Sequence, residues 1–293
     1  MTILKKIPGP LLIFLGAVCL SFGGPIVKSF EGANLWQILF WRQFFFSIIV
    51  ALYLFLVYRK NFFKSFYVSG LPGFIAGLFL SIGFAAYVFA MYKTTVANTN
   101  FIITTETIFL AGLGYFFLKE KITLVTLISI ILGMCGVLLI LGSSLSIQSS
   151  DQFLGNIVAF IMPISFAILV IIVRKYPNVD MVPLQLFAGI VAMSIGYYVS
   201  SKITVSTNDL FLGFLAGFFQ VGLGFIFITI GAKKTLSAMV GILMMTEAVL
   251  GPFWAWIFLD ESPQLYAFVG GSIILVAVFI QFYSLLIKER KAK

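Results

Sequence analysis

The sequence has no histidine, and only 10% of its 293 residues are charged. The first absence removes every chemistry built on imidazole: a Ser-His-Asp triad, an HExxH zinc site, a histidine-ligated haem. The second removes the water-soluble globule, because a soluble domain carries about a quarter of its residues as charges. Cysteine is scarce too. Cys19 and Cys135 lie far apart inside apolar runs, with no CxxC and no metal-ligand spacing, and read as two buried small hydrophobes. No Gly-rich phosphate loop or Asp-rich metal motif is present, so no nucleotide-driven pump, metal site or other cofactor is expected.

What is abundant is apolar: 61% of the residues are hydrophobic, at a mean hydropathy of +1.12. They gather into ten runs, each near the roughly 20 residues that cross a bilayer. The runs are 10–27, 35–57, 70–92, 97–118, 122–142, 153–173, 182–200, 209–231, 236–258 and 264–287. An all-α integral membrane protein with ten transmembrane helices is the expectation.

The net charge of +9 is informative through its placement. With the N-terminus inside, fifteen of the 19 Lys and Arg fall on the cytoplasmic side, Lys28, Lys93 and Lys202 fall outside, and Arg42 lies within a span. That asymmetry assigns both termini to the cytoplasm and the basic surplus to anionic lipid, not to nucleic acid. A cleavable signal peptide over 5–27 is the alternative; it would leave nine spans and reverse the charge pattern of the rest.

The chain also repeats itself. Shifted by 141 residues, Lys93-Thr94 aligns with Lys234-Thr235, Ala97 with Ala238, Thr105-Glu106 with Thr246-Glu247, Phe117-Leu118 with Phe258-Leu259, and Glu120 with Glu261. Composition bias alone does not place two Thr-Glu pairs and two further glutamates in register. The expected organisation is a five-helix repeat over 9–142, an external linker over 143–152 and a second five-helix repeat over 153–287. Five is odd, so the second copy enters the membrane from the opposite side. Inverted repeats of this kind place a substrate site at their interface near the midplane and expose it to each side in turn.

The ends of the fourth helix of each repeat, Phe117-Leu-Lys-Glu120 and Phe258-Leu-Asp-Glu261, resemble the "LGE" ending that recurs in both halves of the ten-helix EamA-type proteins of the drug/metabolite transporter superfamily. Glu247, fourteen residues before Glu261, falls where many members carry the Glu of an "EP" pair. Lys119 and Asp260 replace the usual Gly, and Ala248 stands in place of the Pro, with Pro252 slightly later. The resemblance runs from about residue 9 to 287. It implies a carrier of the bacterial inner membrane, most often an exporter and not an enzyme, with a central cavity between the halves. Its partner is a small-molecule metabolite. The resemblance names no substrate; amino acids are the first expectation from family habit, and nothing in it specifies an oligomeric state.

The residues themselves single out a few polar positions. A charge at bilayer depth costs at least about 2.5–3.5 kcal/mol, so intramembrane ionisable groups face a cavity or a partner. Arg42, Glu106 and Glu247 qualify, at about 10, 13 and 16 Å along their spans. One reading makes them a site, with Arg42 holding an anionic group and a glutamate carrying a proton or meeting an ammonium. The other is a buried Arg42–Glu106 pair locking the second and fourth spans, with Glu247 neutral and hydrogen-bonded nearby. Helical spacing sets Met244, Gly251 and Trp254 on the face of Glu247, Trp254 being either a pocket wall or an interfacial anchor. Tyr87 and Gln220 are the other central polar groups, as cavity lining or as helix-to-helix hydrogen bonds. Asn98, Asn100, Thr94 and Thr95 fit an external turn and helix cap better than a substrate contact. Pro163 and Pro252 are expected to kink their spans. A channel would need a more continuous polar lining than three charges supply. An intramembrane lipid enzyme would need clustered acids or a nucleophile beside them.

Overall fold

The computed structural model describes residues 6–94, 96–142, 149–259 and 265–291. Among them there is no strand. Seven stretches are long and apolar enough to cross a membrane, one of them the 59 residues Leu35–Lys93, and two shorter apolar helices, Leu124–Ile140 and Phe268–Ser284, accompany them.

Several runs that look continuous in sequence are divided. The first is α1 (Gly9–Leu20) and α2 (Gly23–Lys28), parted at Ser21 and Phe22. There the Ser21 hydroxyl donates to the Val18 carbonyl at 2.6 Å, competing with the backbone for that acceptor. Next, α3 (Leu35–Tyr58) opens with a capping box in which Asn34 Oδ1 accepts from Trp36 N and Gln37 N, and Gln37 Oε1 accepts from Asn34 N. Arg59, at φ 46°, turns the chain into α4 (Phe62–Lys93), which bends at Gly70. Gly70 sits at φ 55°, a left-handed backbone that a residue without Cβ takes at no steric cost, two residues before Pro72. The next run is α5 (Val96–Thr104) and α6 (Glu106–Leu118), parted at Thr105, and α7 (Leu124–Gly142) follows.

Beyond residue 149 come α8 (Ser150–Ala159) and α9 (Ile161–Lys175). They part at Phe160, three residues before Pro163, whose missing N–H leaves the Ala159 carbonyl without its usual donor. A continuous helix, α10 (Val182–Val199), follows. The next run is α11 (Thr207–Phe214), a π-helix π1 (Leu215–Leu223) and α12 (Gly224–Ala232). Last come α13 (Ser237–Met244), α14 (Thr246–Leu259) and α15 (Leu265–Lys291). The linker positions 143–148, Thr95, Asp260, Glu261 and the side chain of Pro252 lie outside the described residues.

The bundle closes through helix pairs whose backbones nearly touch. A Cβ built on Gly9 would stand 2.7 Å from Gly231 O and one on Gly16 2.9 Å from Gly224 O, so α1 lies antiparallel on α12. Across α7 and α15, a Cβ on Gly136 would meet Gly270 O at 2.7 Å and one on Gly270 would meet Gly136 O at 2.4 Å. Glycine is needed at these positions because lipid offers helices no hydrophobic drive to associate, and van der Waals contact at short range takes its place. At the centre Phe84 and Phe225 meet edge to face at 5.2 Å, flanked by Phe46 and Phe166. Phe84 and Phe225 are themselves separated by the 141-residue shift of the repeat.

Large apolar side chains such as Phe55, Leu56, Leu71, Phe116 and Phe279 are exposed around the bundle, the surface that hydrocarbon covers. Cys19 is buried, but Cys135 is exposed, contrary to its reading as a buried hydrophobe. An apolar run does not distinguish a residue facing lipid from one facing another helix.

Candidate functional site

Arg42 lies about a third of the way along α3 and is 2% exposed. Its guanidinium carbon stands 4.8 Å from the ring centre of Tyr87 and 5.7 Å from that of Phe84, both on α4. These π faces supply part of what water would have given. Nε and Nη1 have no hydrogen-bond partner among the described residues, and a buried charged donor left unmade costs more than about 1–3 kcal/mol. Among the described residues no ion pair joins Arg42 to Glu106. The reading of a buried Arg42–Glu106 lock is therefore corrected: Phe84 and Tyr87 cover the faces of the guanidinium, and Glu106 lines a cavity that does not include Arg42.

The two glutamates come together instead with each other. Glu106 opens α6 and Glu247 lies in the first turn of α14. In both cases the preceding turn is tightened: Ile108 N bonds Thr105 O at 2.9 Å and Ala248 N bonds Met245 O at 3.0 Å, three residues back instead of four. Thr104 Oγ1 donates to Phe101 O at 2.7 Å and Thr105 Oγ1 to Ile102 O, drawing acceptors away from the ladder of α5. The partial positive end of each following helix then faces a carboxylate. Glu106 and Glu247 line one cavity with Asn100, Thr104, Met244 and Ala248, of about 10 Å³, the space of a single water centre. Glu247 is within electrostatic reach of both Glu106 and Arg42. Asn100 belongs to this cavity, whereas Asn98 Nδ2 donates to Thr94 Oγ1 at 3.0 Å in the turn after α4.

Tyr87, Gln220 and Trp254 gather at the break between α1 and α2. Gln220, carried on π1, donates from Nε2 to Leu20 O at 3.3 Å, a carbonyl at the end of α1. A Cβ on Gly23 would stand 2.6 Å from Tyr87 Oη and 2.7 Å from Gln220 Nε2, so the chain there has room for backbone alone. Trp254 Nε1 donates to Ser21 Oγ at 2.8 Å, and its ring stacks on Phe22 at 4.4 Å between centres. Trp254 is thus tied to the broken helix and is not a lipid-facing anchor. The break and π1 were not anticipated from sequence, although Ser21-Phe-Gly-Gly-Pro25 is a turn-forming string within an apolar run.

The EamA-like transporter family matches residues 7–142 and again residues 152–283. The chain belongs to the EamA-like transporter family. An "Uncharacterized transporter" of Clostridium kluyveri is 23% identical over 217 residues, 71% of this chain and 70% of that protein. A second, from Methanothermobacter thermautotrophicus, also named "Uncharacterized transporter", is 24% identical over 202 residues, 65% of this chain and 58% of that protein. A crystal structure superposes with a TM-score of 0.76 at 13% identity, over 93% of this chain and 97% of the other, a likeness of fold.

Of the two EamA-type helix endings, that of Glu120 is described. Lys119 is left-handed at φ 57°, Glu120 N bonds back to Gly114 O at 3.1 Å, and the reversal turns the Glu120 side chain inward. Its Oε2 accepts from Ser237 N at 2.8 Å, and its Oε1 accepts from Arg174 Nε. Arg174 Nη1 donates in turn to the carbonyls of Ala232 and Thr235. Sequence reasoning used Glu120 as a family mark and Arg174 as an orientation charge, and did not bring the two together.

Proposed function

We propose that this EamA-type chain is a secondary carrier that moves a small polar or amphipathic metabolite across the bacterial inner membrane by alternating access, with amino acids or related compounds as substrates and export as the direction. Ten crossings underlie the reading, with Leu35–Lys93 counted as two and Leu124–Ile140 and Phe268–Ser284 as one each. Reciprocal packing of α1 on α12 and of α4 on α9, with repeat mates Phe84 and Phe225 in contact, supports halves related by an axis in the membrane plane. The asymmetry of Lys and Arg along the chain supports both termini on the cytoplasmic side.

The observation that carries the reading is Arg42, buried with Nε and Nη1 unpartnered and coupled to Glu247. A substrate carboxylate would satisfy those donors, and a glutamate would meet its ammonium or carry a proton. A second reading, export of a cationic drug or polyamine, is favoured by one feature: the cavity is lined by both carboxylates and not by Arg42.

Thermal stabilisation of the purified chain by amino acids, polyamines, nucleosides and organic acids separates the two, since a ligand of the folded state raises its stability. A zwitterion whose effect is lost in Arg42→Ala and in Glu247→Gln supports the first reading. A cation whose effect survives Arg42→Ala supports the second. Saturable counterflow of the same compound in proteoliposomes is expected of a carrier; unsaturable flux would mean a channel and product formation an enzyme. Folded Glu106→Gln and Glu247→Gln chains that transport at unchanged rate and pH profile would remove both carboxylates from the mechanism.

A further inference from the structure

Helices α6 and α13 run together from the glutamate cavity to the basic end of the bundle along a seam of small residues. A Cβ on Gly241 would stand 2.6 Å from Thr107 Cα, directly after Glu106. Lower on the seam, Ala111 and Ala238 pack together with Ile242. At its end a Cβ on Gly114 would stand 3.0 Å from Ser237 Cβ and 3.0 Å from Glu120 Oε2. The seam closes at the point where Glu120 takes the Ser237 amide and Arg174.

A second observation makes this more than tight packing. Beside Glu120 lies a cavity of about 10 Å³ lined by Ala111, Lys121, Thr126, Leu236, Ala238 and Gln281, among others. Gln281 Oε1, and Ser237 Oγ beside the pair, are buried without a hydrogen-bond partner. So is Thr107 Oγ1 at the upper end of the seam. Buried polar groups are almost always satisfied, so orphans on the seam and beside its end need an explanation, and water admitted by another conformation would supply one. Arg174 gathers four helix ends at this point: its own α9, α6 through Glu120, α12 through Ala232 O, and the approach to α13 through Thr235 O.

We propose that Glu120, Arg174 and the Ser237 amide form a latch that shuts the α6–α13 seam at the basic end, and that its release opens the glutamate cavity to that side. A carboxylate and a guanidinium suit this task, because each can exchange its partner for water when the seam parts, whereas an apolar plug has no such alternative. In this conformation the latch is closed, and the site is sealed from the basic face. The inference rests on the carrier reading for its meaning, because a seam that never opens needs no latch.

The test uses the full chain in membrane vesicles of known orientation, with Cys19→Ala and Cys135→Ala, and one introduced thiol on the seam at Ala111→Cys. A membrane-impermeant maleimide added at the basic face reads access. Glu120→Gln and Arg174→Gln should each raise the labelling rate about tenfold or more, the factor expected for loss of one hydrogen bond to a charged group. A thiol at Val50→Cys, fully buried on α3, should stay protected in the same chains. Unchanged labelling at 111 would overturn the latch. Equal increases at 111 and 50 would overturn it too, because the pair would then only hold the fold. Substrate counterflow by the unaltered chain tests the carrier reading separately, so a seam that opens in a chain carrying nothing leaves the latch standing without the carrier.

Discussion

The two ends of the bundle are held in different ways. At the basic end the Glu120 and Arg174 side chains are 13% and 16% exposed, and each makes further bonds to backbone. Tyr58 Oη donates to Asp180 Oδ2 at 2.6 Å nearby, and Lys233 approaches Oδ1 of the same carboxylate at 3.6 Å. At the opposite end Lys93 meets Asp151 at 3.0 Å, but the two side chains are 35% and 65% exposed. That end relies more on bonds that side chains make to backbone: Asp209 accepts from Glu31 N and Gly32 N, Gln37 Nε2 donates to Thr204 O, and Trp41 Nε1 donates to Ile203 O. Burial decides how much a charge pair matters, because an exposed pair exchanges one hydrated state for another while a buried one, once broken, strands its partner.

Three substitutions test that difference in descending order. Arg174→Ala strands Glu120 and should lower stability by about 2–4 kcal/mol, the buried-pair loss reduced for partial exposure, read as a fall in thermal unfolding temperature in detergent. A chain as stable as the parent would show that charge does not hold the basic end. Tyr58→Phe removes one hydrogen bond to a carboxylate that keeps Lys233, and about 1.5 kcal/mol is expected by the same measurement. Lys93→Ala should cost less than about 1 kcal/mol, and that difference should vanish at high salt, where exposed pairs are screened. If Lys93→Ala costs as much as Arg174→Ala, the contrast between the ends collapses.

The same contrast between local and long-range information separates what could be read in the chain from what could not. Charge scarcity and apolar run length marked the helices, because crossing hydrocarbon is a demand each segment meets on its own. The Thr-Glu pairs at 105–106 and 246–247 were visible in sequence as matched positions 141 residues apart. Their meeting in one cavity depended on how the bundle brings the starts of α6 and α14 together. The Arg42–Glu106 lock failed because spacing along two spans says nothing about which face of each helix turns to the other. Phe84 and Tyr87, on α4, cover the faces of the guanidinium instead. Trp254 was left between two surroundings because its partner, Ser21, lies 233 residues away. The π-turn that carries Gln220 has no composition signature at all.

The sequence by itself determined the environment, the helical class and the family, since lipid acts on every residue of a span alike and leaves its mark as composition. Tertiary structure alone decided which polar groups are paired and which are left open. Arg174 found Glu120 across 54 residues, whereas among the described residues Arg42 makes no ion pair, because the orientation of a helix about its own axis is set by the small residues through which it packs on its neighbours.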